Sequence, residues 1–307
     1  MRAFIFPGQG SQAVGMGAAL AGASAEARAV LEEVDEALGQ RLSKLMALGP
    51  HDELTLTENA QPAIMANAIA ILRASGIDLA GKAAFVAGHS LGEYSALCAA
   101  GAFDLATTAR LLKVRGQAMQ KAVPVGEGAM AALLGAGLET AQAVAEAAAQ
   151  GEVCAIANDN DPTQVVISGH KGAVERALEI AGEKGARRAI LLPVSAPFHC
   201  PLMQPAADAM AEALAGARIA APAVPVYANV TAAPVREPDE IRRLLVEQVT
   251  AMVRWRESVA AMADAGATHF VELGARVLAP MVKRIAPDAA TTSVVTIDDI
   301  DALVKEI

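Results

Sequence analysis

The sequence predicts a mixed α/β chain in which a small β-α-β-β-α-β unit interrupts a larger body of sheet and helices. Three observations carry this. A short apolar run, Arg2–Phe6, breaks into Pro7-Gly8-Gln9-Gly10-Ser11-Gln12, the pattern of a strand entering a glycine-rich loop. A second run, Ala83–Ala87, passes through Gly88-His-Ser-Leu-Gly92 into helical spacing over Glu93–Ala100. Between about Pro124 and Pro193 the texture changes. Strand-like runs at Ala129–Leu134, Val153–Asn158, Gln164–Ser168 and Arg188–Leu192 enclose helical segments at Leu138–Gln150 and Gly172–Lys184. That order is the signature of a ferredoxin-like unit.

The remaining elements follow from periodicity. Ala25–Leu38 has helical spacing with Glu and Asp on its polar face, Gln61–Ala74 is a strongly apolar helix, and Thr107–Ala122 is a helix carrying Arg110, Lys113, Arg115 and Lys121. After Pro193, helices are predicted at Met203–Leu214, Glu237–Gln248, Trp255–Ala265 and Val277–Ile285, and strands at Val224–Ala228 and His269–Leu273. No internal repeat or low-complexity linker is visible, although alanine is abundant.

Composition excludes several classes. The 307 residues are 54% hydrophobic, 19% charged and 3% aromatic, with 25 Lys+Arg against 34 Asp+Glu and a net charge of −9. A disordered chain is far less apolar, and a nucleic-acid binder carries a basic stripe with interleaved aromatics. Mean hydropathy is +0.36, but a spanning helix needs roughly 20 uncharged apolar residues. Stretches such as Ala63–Leu72 are half that length, and Pro7-Gly8 stops the first run before it reaches signal-peptide size. Neither nucleic acid nor membrane is therefore an expected partner. Cys98, Cys154 and Cys200 form neither a disulfide framework nor a zinc spacing, so no metal is expected and a reducing, cytoplasmic setting is.

Gly88-His89-Ser90-Leu91-Gly92 matches G-x-S-x-G in the context that gives it meaning, a strand before and a helix after. Such a turn exposes the serine Oγ, and the following amides sit at a helix N-terminus suited to an oxyanion. Ser90 is thus the candidate nucleophile, and a helix N-cap is the alternative reading. Its base must come from His51, His89, His170, His199 or His269. His89 adjoins the serine with its side chain expected to point away, His51 and His170 lie in polar turns, and His269 begins a strand. His199 sits in Val194-Ser-Ala-Pro-Phe-His-Cys-Pro-Leu-Met203, where two prolines stiffen the backbone. No acid flanks it, so backbone carbonyls are candidates for orienting the imidazole.

Phe6-Pro-Gly-Gln-Gly-Ser-Gln12, Gly88-His-Ser-Leu-Gly-Glu-Tyr94, Arg115, Ser195-Ala-Pro-Phe-His199 and Ala228-Asn-Val230 occur in this order. Together they resemble the malonyl-CoA:acyl carrier protein transacylase family of bacterial fatty acid synthesis, over essentially the whole chain. The resemblance implies an α/β-hydrolase-like large subdomain (1–123 and 194–307) with an inserted ferredoxin-like small subdomain (124–193). It implies a ping-pong acyltransferase with malonyl-CoA and holo acyl carrier protein as substrates and no cofactor. Ser90 is then the nucleophile and His199 the base, with the amides of Gln9 and Leu91 forming the oxyanion hole. A main-chain carbonyl at Gln248 orients the histidine, and Arg115 holds the malonyl carboxylate. His89, Phe198 and Asn160 are candidates for the substrate pocket.

The segment Glu272-Leu-Gly-Ala-Arg-Val-Leu278 departs from the family's usual Glu-x-Gly-Pro-Gly-Lys by one residue, and Pro280 enters the next helix. Contacts made by the loop Gly274-Ala275-Arg276 are therefore left open. The carrier partner is acidic, as is this chain, so a local basic patch must offset the repulsion. Arg187-Arg188 and Lys283-Arg284 are the candidates for it. Three rivals remain: a serine esterase, which uses the same elbow but does not need Arg115; the acyltransferase of a malonate decarboxylase or of a polyketide system, which shares the motifs; and a non-enzymatic scaffold of the same fold, which is expected to have lost Ser90 or His199. A monomer is expected, since the cleft is complete within one chain.

Overall fold

The computed structural model describes all 307 residues. Ten strands, β1 (Arg2–Phe6), β2 (Phe85–Gly88), β3 (Gly128–Leu134), β4 (Cys154–Asp161), β5 (Gln164–His170), β6 (Arg188–Leu191), β7 (Val226–Ala228), β8 (Ala233–Val235), β9 (His269–Leu273) and β10 (Ala290–Val294), form two sheets. The larger has the order β10-β9-β1-β2-β7-β8, parallel except for β8. The smaller, β4-β5-β3-β6, is wholly antiparallel. With the helices Leu138–Ala149 and Lys171–Ile180 it has the β-α-β-β-α-β connection of the ferredoxin-like unit and its own apolar core around Leu133, Val144, Val165 and Val174. The architecture is the α/β one expected.

The large sheet is buried on both faces, as parallel sheets are. Helix Thr57–Ser75 covers one face, and its residues from Asn59 to Leu72 are all buried, which explains why its sequence is apolar all round. No helix is long and apolar enough to cross a membrane. Helix Ala25–Leu38 begins where the Ser24 side chain accepts the Ala27 amide and ends at Gly39 in a left-handed conformation.

Register places the chemistry. β1 and β2 pair in parallel with Phe6 opposite Gly88. Both strands therefore end at the same edge, and the loop Pro7-Gly8-Gln9 emerges beside His89-Ser90-Leu91. That is the edge at which parallel sheets bind ligands. Close approach demands glycine there. A Cβ on Gly88 would lie 1.9 Å from the Gly92 backbone, and one on Gly92 would lie 2.3 Å from the Phe6 carbonyl oxygen.

β4 ties the small unit to the large one. Asp159 donates its amide to the Val253 carbonyl at 3.0 Å, and Val253 donates to Ala157 at 2.9 Å. Two buried carboxylates reinforce the seam: Asp159 pairs with Arg256 at 2.8 Å and Asp161 with Arg284 at 2.8 Å. Lys283 and Arg284, candidates for the basic patch, are exposed but already have partners. Arg284 Nε donates to Asp161, and Lys283 donates to the Ala289 carbonyl at 2.6 Å. Arg187 and Arg188 are exposed.

Most elements lie within one to three residues of their predicted ends. The helix expected at Val277–Ile285 starts at Ala279, because the Glu272 carboxylate takes the amides of Val277, Leu278 and Ala279 and holds them as its N-terminal cap. Arg276 in the short loop pairs with Asp299 at 3.1 Å. β8, β10, the C-terminal helix Ile297–Glu306 and the short helices Ala18–Ala23, Leu42–Leu48, His51–Thr55 and Leu79–Lys82 were not predicted.

The glycine contacts make a stability prediction. Gly88→Ala is expected to cost about 3 kcal/mol or more, because only backbone surrounds the added methyl. Gly22→Ala, in open helix with nothing within 4 Å, is expected to gain about 0.5–1 kcal/mol. Urea unfolding of the two variants checks both signs.

Candidate active site

Ser90 has φ 55° and His199 φ 57°, both in the left-handed region that non-glycine residues rarely occupy. Each is held there by its surroundings. The Ser90 amide donates to Asn229 Oδ1 at 2.8 Å, while Asn229 Nδ2 donates to the Gly88 carbonyl at 2.7 Å, so one buried asparagine clips both ends of the turn. The His199 loop is pinned by Pro197, against which Gly128 of β3 packs so closely that a Cβ would lie 2.4 Å from its ring.

The two strained residues meet. Ser90 Oγ and His199 Nε2 are 2.7 Å apart, and His199 Nδ1 lies 2.9 Å from the Gln248 carbonyl oxygen. A carbonyl only accepts, so Nδ1 carries the proton and Nε2 is free to accept the serine proton. Burial pushes the His199 pKa down to about 3, with the Arg115 charge as the next cause. The imidazole is therefore neutral at neutral pH.

Arg115 extends to the same serine. Its Nη2 donates to Ser90 Oγ at 3.2 Å and to Gln248 Oε1 at 2.9 Å, and its Nη1 donates to Gln61 Oε1 at 2.8 Å. Its Nε has no partner, its carbon stands 5.7 Å from the Tyr94 ring centroid, and the residue is 1% exposed. A cation this buried, with one donor left unpartnered and another at a serine hydroxyl, has the chemistry to accept a small carboxylate.

The amides of Gln9 and Leu91 have no acceptor within the chain, whereas the Ser90 amide is taken by Asn229. Gln9, Leu91, Ser90, Arg115 and His199 line one cavity of about 410 Å³, a size suited to a small acyl chain and its thioester arm. Phe198 lines it beside His199, and His89 lines it too. Asn160 does not. It stands behind His89, its Oδ1 accepting from His89 Nε2 at 2.8 Å, while the His89 ring packs on Trp255 at 5.7 Å. The expectation that Asn160 belongs to the substrate pocket is corrected to that of a support for His89, and Asn158, two residues earlier on the same strand, lines the cavity instead. His51 also reaches the cavity wall, from the start of its own short helix.

Sequence reasoning missed three groups. Gln61 and Asn229 are buried amides whose partners lie 54 and 139 residues away. Glu93, 2% exposed, accepts from the Asn229 amide at 3.0 Å and from Gln248 Nε2 at 2.8 Å, and burial raises its pKa to about 7. A carboxylate immediately after the elbow glycine was the only available signal.

Comparison with known proteins adds a separate kind of finding. A model of the acyl transferase domain family matches residues 3–295. The chain is 46% identical over 293 residues to the malonyl CoA-acyl carrier protein transacylase of Escherichia coli strain K12, covering 95% of this chain and 94% of that one. Its structure is similar to that of an acyl-carrier-protein S-malonyltransferase from Bartonella henselae, with TM-score 0.97, 51% identity and coverage of 99% and 98%. It is also similar to a malonyl-transacylase solved in complex with a type II polyketide synthase acyl carrier protein, with TM-score 0.95, 39% identity and coverage of 100% and 99%.

Glu93 generates a pH prediction. Its pKa is above the unfolded value of 4.5, so the folded state binds the proton more tightly and stability falls as pH rises from 4.5 through 7. Relative to wild type, Glu93→Gln is expected to gain about 3 kcal/mol between pH 4.5 and 7.5. His199 has the opposite sign: its stabilising share is present above pH 6.5 and lost toward pH 3, and it cancels in this comparison. A pH-independent difference in urea unfolding would show that Glu93 keeps its ordinary pKa.

Proposed function

The chain belongs to the acyl transferase domain family, and from that premise we propose that it moves a malonyl group from malonyl-CoA to the phosphopantetheine thiol of an acyl carrier protein, through an ester on Ser90, as supply for fatty acid elongation. The observation that carries the reading is a single point in space. Ser90 Oγ is 2.7 Å from a neutral imidazole nitrogen and 3.2 Å from a guanidinium nitrogen. Nucleophile, base and carboxylate receptor converge there.

The reaction runs in two halves. Ser90 Oγ attacks the thioester carbonyl carbon as its proton passes to His199 Nε2. The carbonyl oxygen becomes an oxyanion facing the amides of Gln9 and Leu91, each worth about 2.7–4 kcal/mol of barrier if typical. The C–S bond breaks, the imidazolium returns its proton to the departing CoA sulfur, and a malonyl-serine ester remains. In the second half the carrier thiol gives its proton to His199 and attacks the ester carbonyl. Ser90 leaves and recovers the proton. The Gln248 carbonyl stabilises the imidazolium in both halves through Nδ1–H. No cofactor enters.

Arg115 supplies the selectivity. An acetyl group leaves the buried guanidinium without the carboxylate that the malonyl group brings, and a site with an unmatched buried polar group rejects such an analogue strongly. Phe198 closes the space beside the acyl α-carbon.

The reading assigns residues 124–193 to the small subdomain and 1–123 with 194–307 to the large one, supported by the separate core of the antiparallel sheet. It takes the protein as a cytoplasmic monomer, supported by a site built from one chain and by three free cysteines. The acidic carrier docks at Arg187-Arg188, the exposed pair at the start of the strand that leads into Leu192 and Pro193 of the cavity wall. A second reading, in which the carrier belongs to a polyketide system, is favoured by the likeness to a transacylase solved with such a carrier.

Incubation with labelled malonyl-CoA is expected to leave one malonyl adduct on Ser90 that passes to added carrier protein. Release to water instead would identify an esterase. Fatty acid and polyketide carriers, compared as acceptors by kcat/KM, separate the two carrier readings. Arg115→Ala is expected to lower malonyl loading roughly 100-fold or more and to narrow the preference over acetyl-CoA. Arg115→Lys should not restore it, since an ammonium cannot give two parallel hydrogen bonds. Charge reversal at Arg187 and Arg188 is expected to raise KM for the carrier more than for malonyl-CoA, and an equal rise for both would remove them from the docking surface.

A further inference from the structure

A directed chain of hydrogen bonds leaves Arg115 on the side away from Ser90. Arg115 Nη1 donates to Gln61 Oε1 at 2.8 Å, Gln61 Nε2 donates to Thr57 Oγ1 at 3.0 Å, and Thr57 Oγ1 donates to Gln9 Oε1 at 2.7 Å. Every donor points the same way, from the cation to the loop that carries the Gln9 amide. Thr57, Gln61 and Arg115 are each 1% exposed, so the first two bonds are shielded from water, and the third reaches the half-buried Gln9 at the cavity wall. Chains of this kind polarise cooperatively in a low dielectric.

The geometry of the chain is fixed from both ends. Thr57 and Gln61 are four residues apart on one helix and so share a face. That helix begins against Gly116, the neighbour of Arg115. A Cβ at Gly116 would lie 2.5 Å from the Glu58 Cα and 2.7 Å from the Thr57 carbonyl oxygen. The backbone at Thr57 is thus docked onto the arginine's own helix. Gln9, by contrast, lies between Gly8 and Gly10, the latter at φ 101°, in a stretch with little conformational restraint of its own. Its side chain is anchored by Thr57 while its amide is left free.

We propose that Thr57 and Gln61 are positioning residues that couple the carboxylate receptor at Arg115 to the oxyanion-binding amide of Gln9. This rests on the roles proposed above for Ser90, Arg115 and Gln9. Its consequence is that discrimination for the malonyl group is expressed in the acylation rate as well as in binding. A shift of the guanidinium is passed through Gln61 and Thr57 to the donor that stabilises the transition state. A misplacement on the order of 1 Å at such a donor lowers rates roughly 100-fold.

The test is single-turnover malonylation of Ser90, followed by protein mass, in Thr57→Val, which keeps the side-chain shape and removes the hydroxyl. The acylation rate at saturating malonyl-CoA is expected to fall roughly 10- to 100-fold, with half-saturation changed less than about 3-fold. Thr57→Ser is expected to return the rate to within about 3-fold of wild type. In an Arg115→Ala background, Thr57→Val should slow acetyl loading less than about 2-fold, because the coupled group is gone. If Thr57→Val does not fold, Gln9→Met, which removes the accepting oxygen at the other end, carries the same expectation. A wild-type acylation rate in the variant, a defect confined to half-saturation, failure of Ser to rescue, or independent multiplication with Arg115→Ala each overturns the coupling. Absence of any Ser90 adduct in the unaltered protein overturns the reading of Ser90 itself.

Discussion

Arg115 is a guanidinium almost wholly withdrawn from water, and a buried cation is tolerated only where acceptors and counter-charge surround it. The surroundings of the site follow from that requirement. Gln61 and Gln248 give it oxygen acceptors, Tyr94 gives it an aromatic face, and Glu93 gives it a carboxylate two contacts away through Gln248. Gln248 is used three times over. Its side-chain oxygen takes Arg115, its side-chain nitrogen serves Glu93 and the Ser90 carbonyl, and its backbone oxygen takes His199. The base and the carboxylate receptor are therefore held by one residue, and neither can move far without the other.

The second constraint is steric and belongs to the backbone. Ser90 reaches its half-buried position at the cavity only because Gly88 and Gly92 let the elbow fold onto itself and onto the end of β1. The same contact brings the Gln9 loop alongside Leu91 and leaves both amides without partners. Asn229 then removes the Ser90 amide from competition. The proposed oxyanion donors are the two backbone amides that this arrangement leaves free.

These two constraints differ in how far they can be read from sequence. The elbow is local: strand, glycine, serine, glycine and helix lie within about ten residues, and their order alone implies the turn. The ferredoxin-like unit is legible for the same reason, since its periodicities follow one another without interruption. Arg115 had no local mark. Its helix is charged at Arg110, Lys113 and Lys121 as well, and only the family resemblance singled it out, because burial depends on the packing of Gly116 against a helix begun nearly sixty residues earlier. Asn229 and Glu93 stand inside the quoted motifs but without a role, and Gln61 without any mark, for the same reason: each acts through a partner brought close by topology. β10 was missed because Ala290-Thr-Thr-Ser-Val294 is a partly exposed edge strand with no apolar alternation. Asn160 lies beyond the predicted strand end at Asn158, and β4 runs on through it with bulges on either side of the bridge from Asn158 to Val253.

The depressed basicity of His199 looks at first like a handicap for a general base. Burial lowers its pKa most, and the Arg115 charge lowers it further. Burial persists through the proposed reaction, but the second cause does not. A malonyl carboxylate seated on the guanidinium cancels most of the positive potential that disfavours an imidazolium. The His199 pKa must then rise, and proton transfer from Ser90 becomes less uphill. An acetyl group brings no such charge and leaves the base as weak as in the empty cleft. On the proposed role of Arg115, selectivity then acts on the proton transfer as well as on the grip on the substrate. This is why a carboxylate receptor within hydrogen-bonding distance of the nucleophile serves the reaction better than an equally strong one placed farther along the cleft.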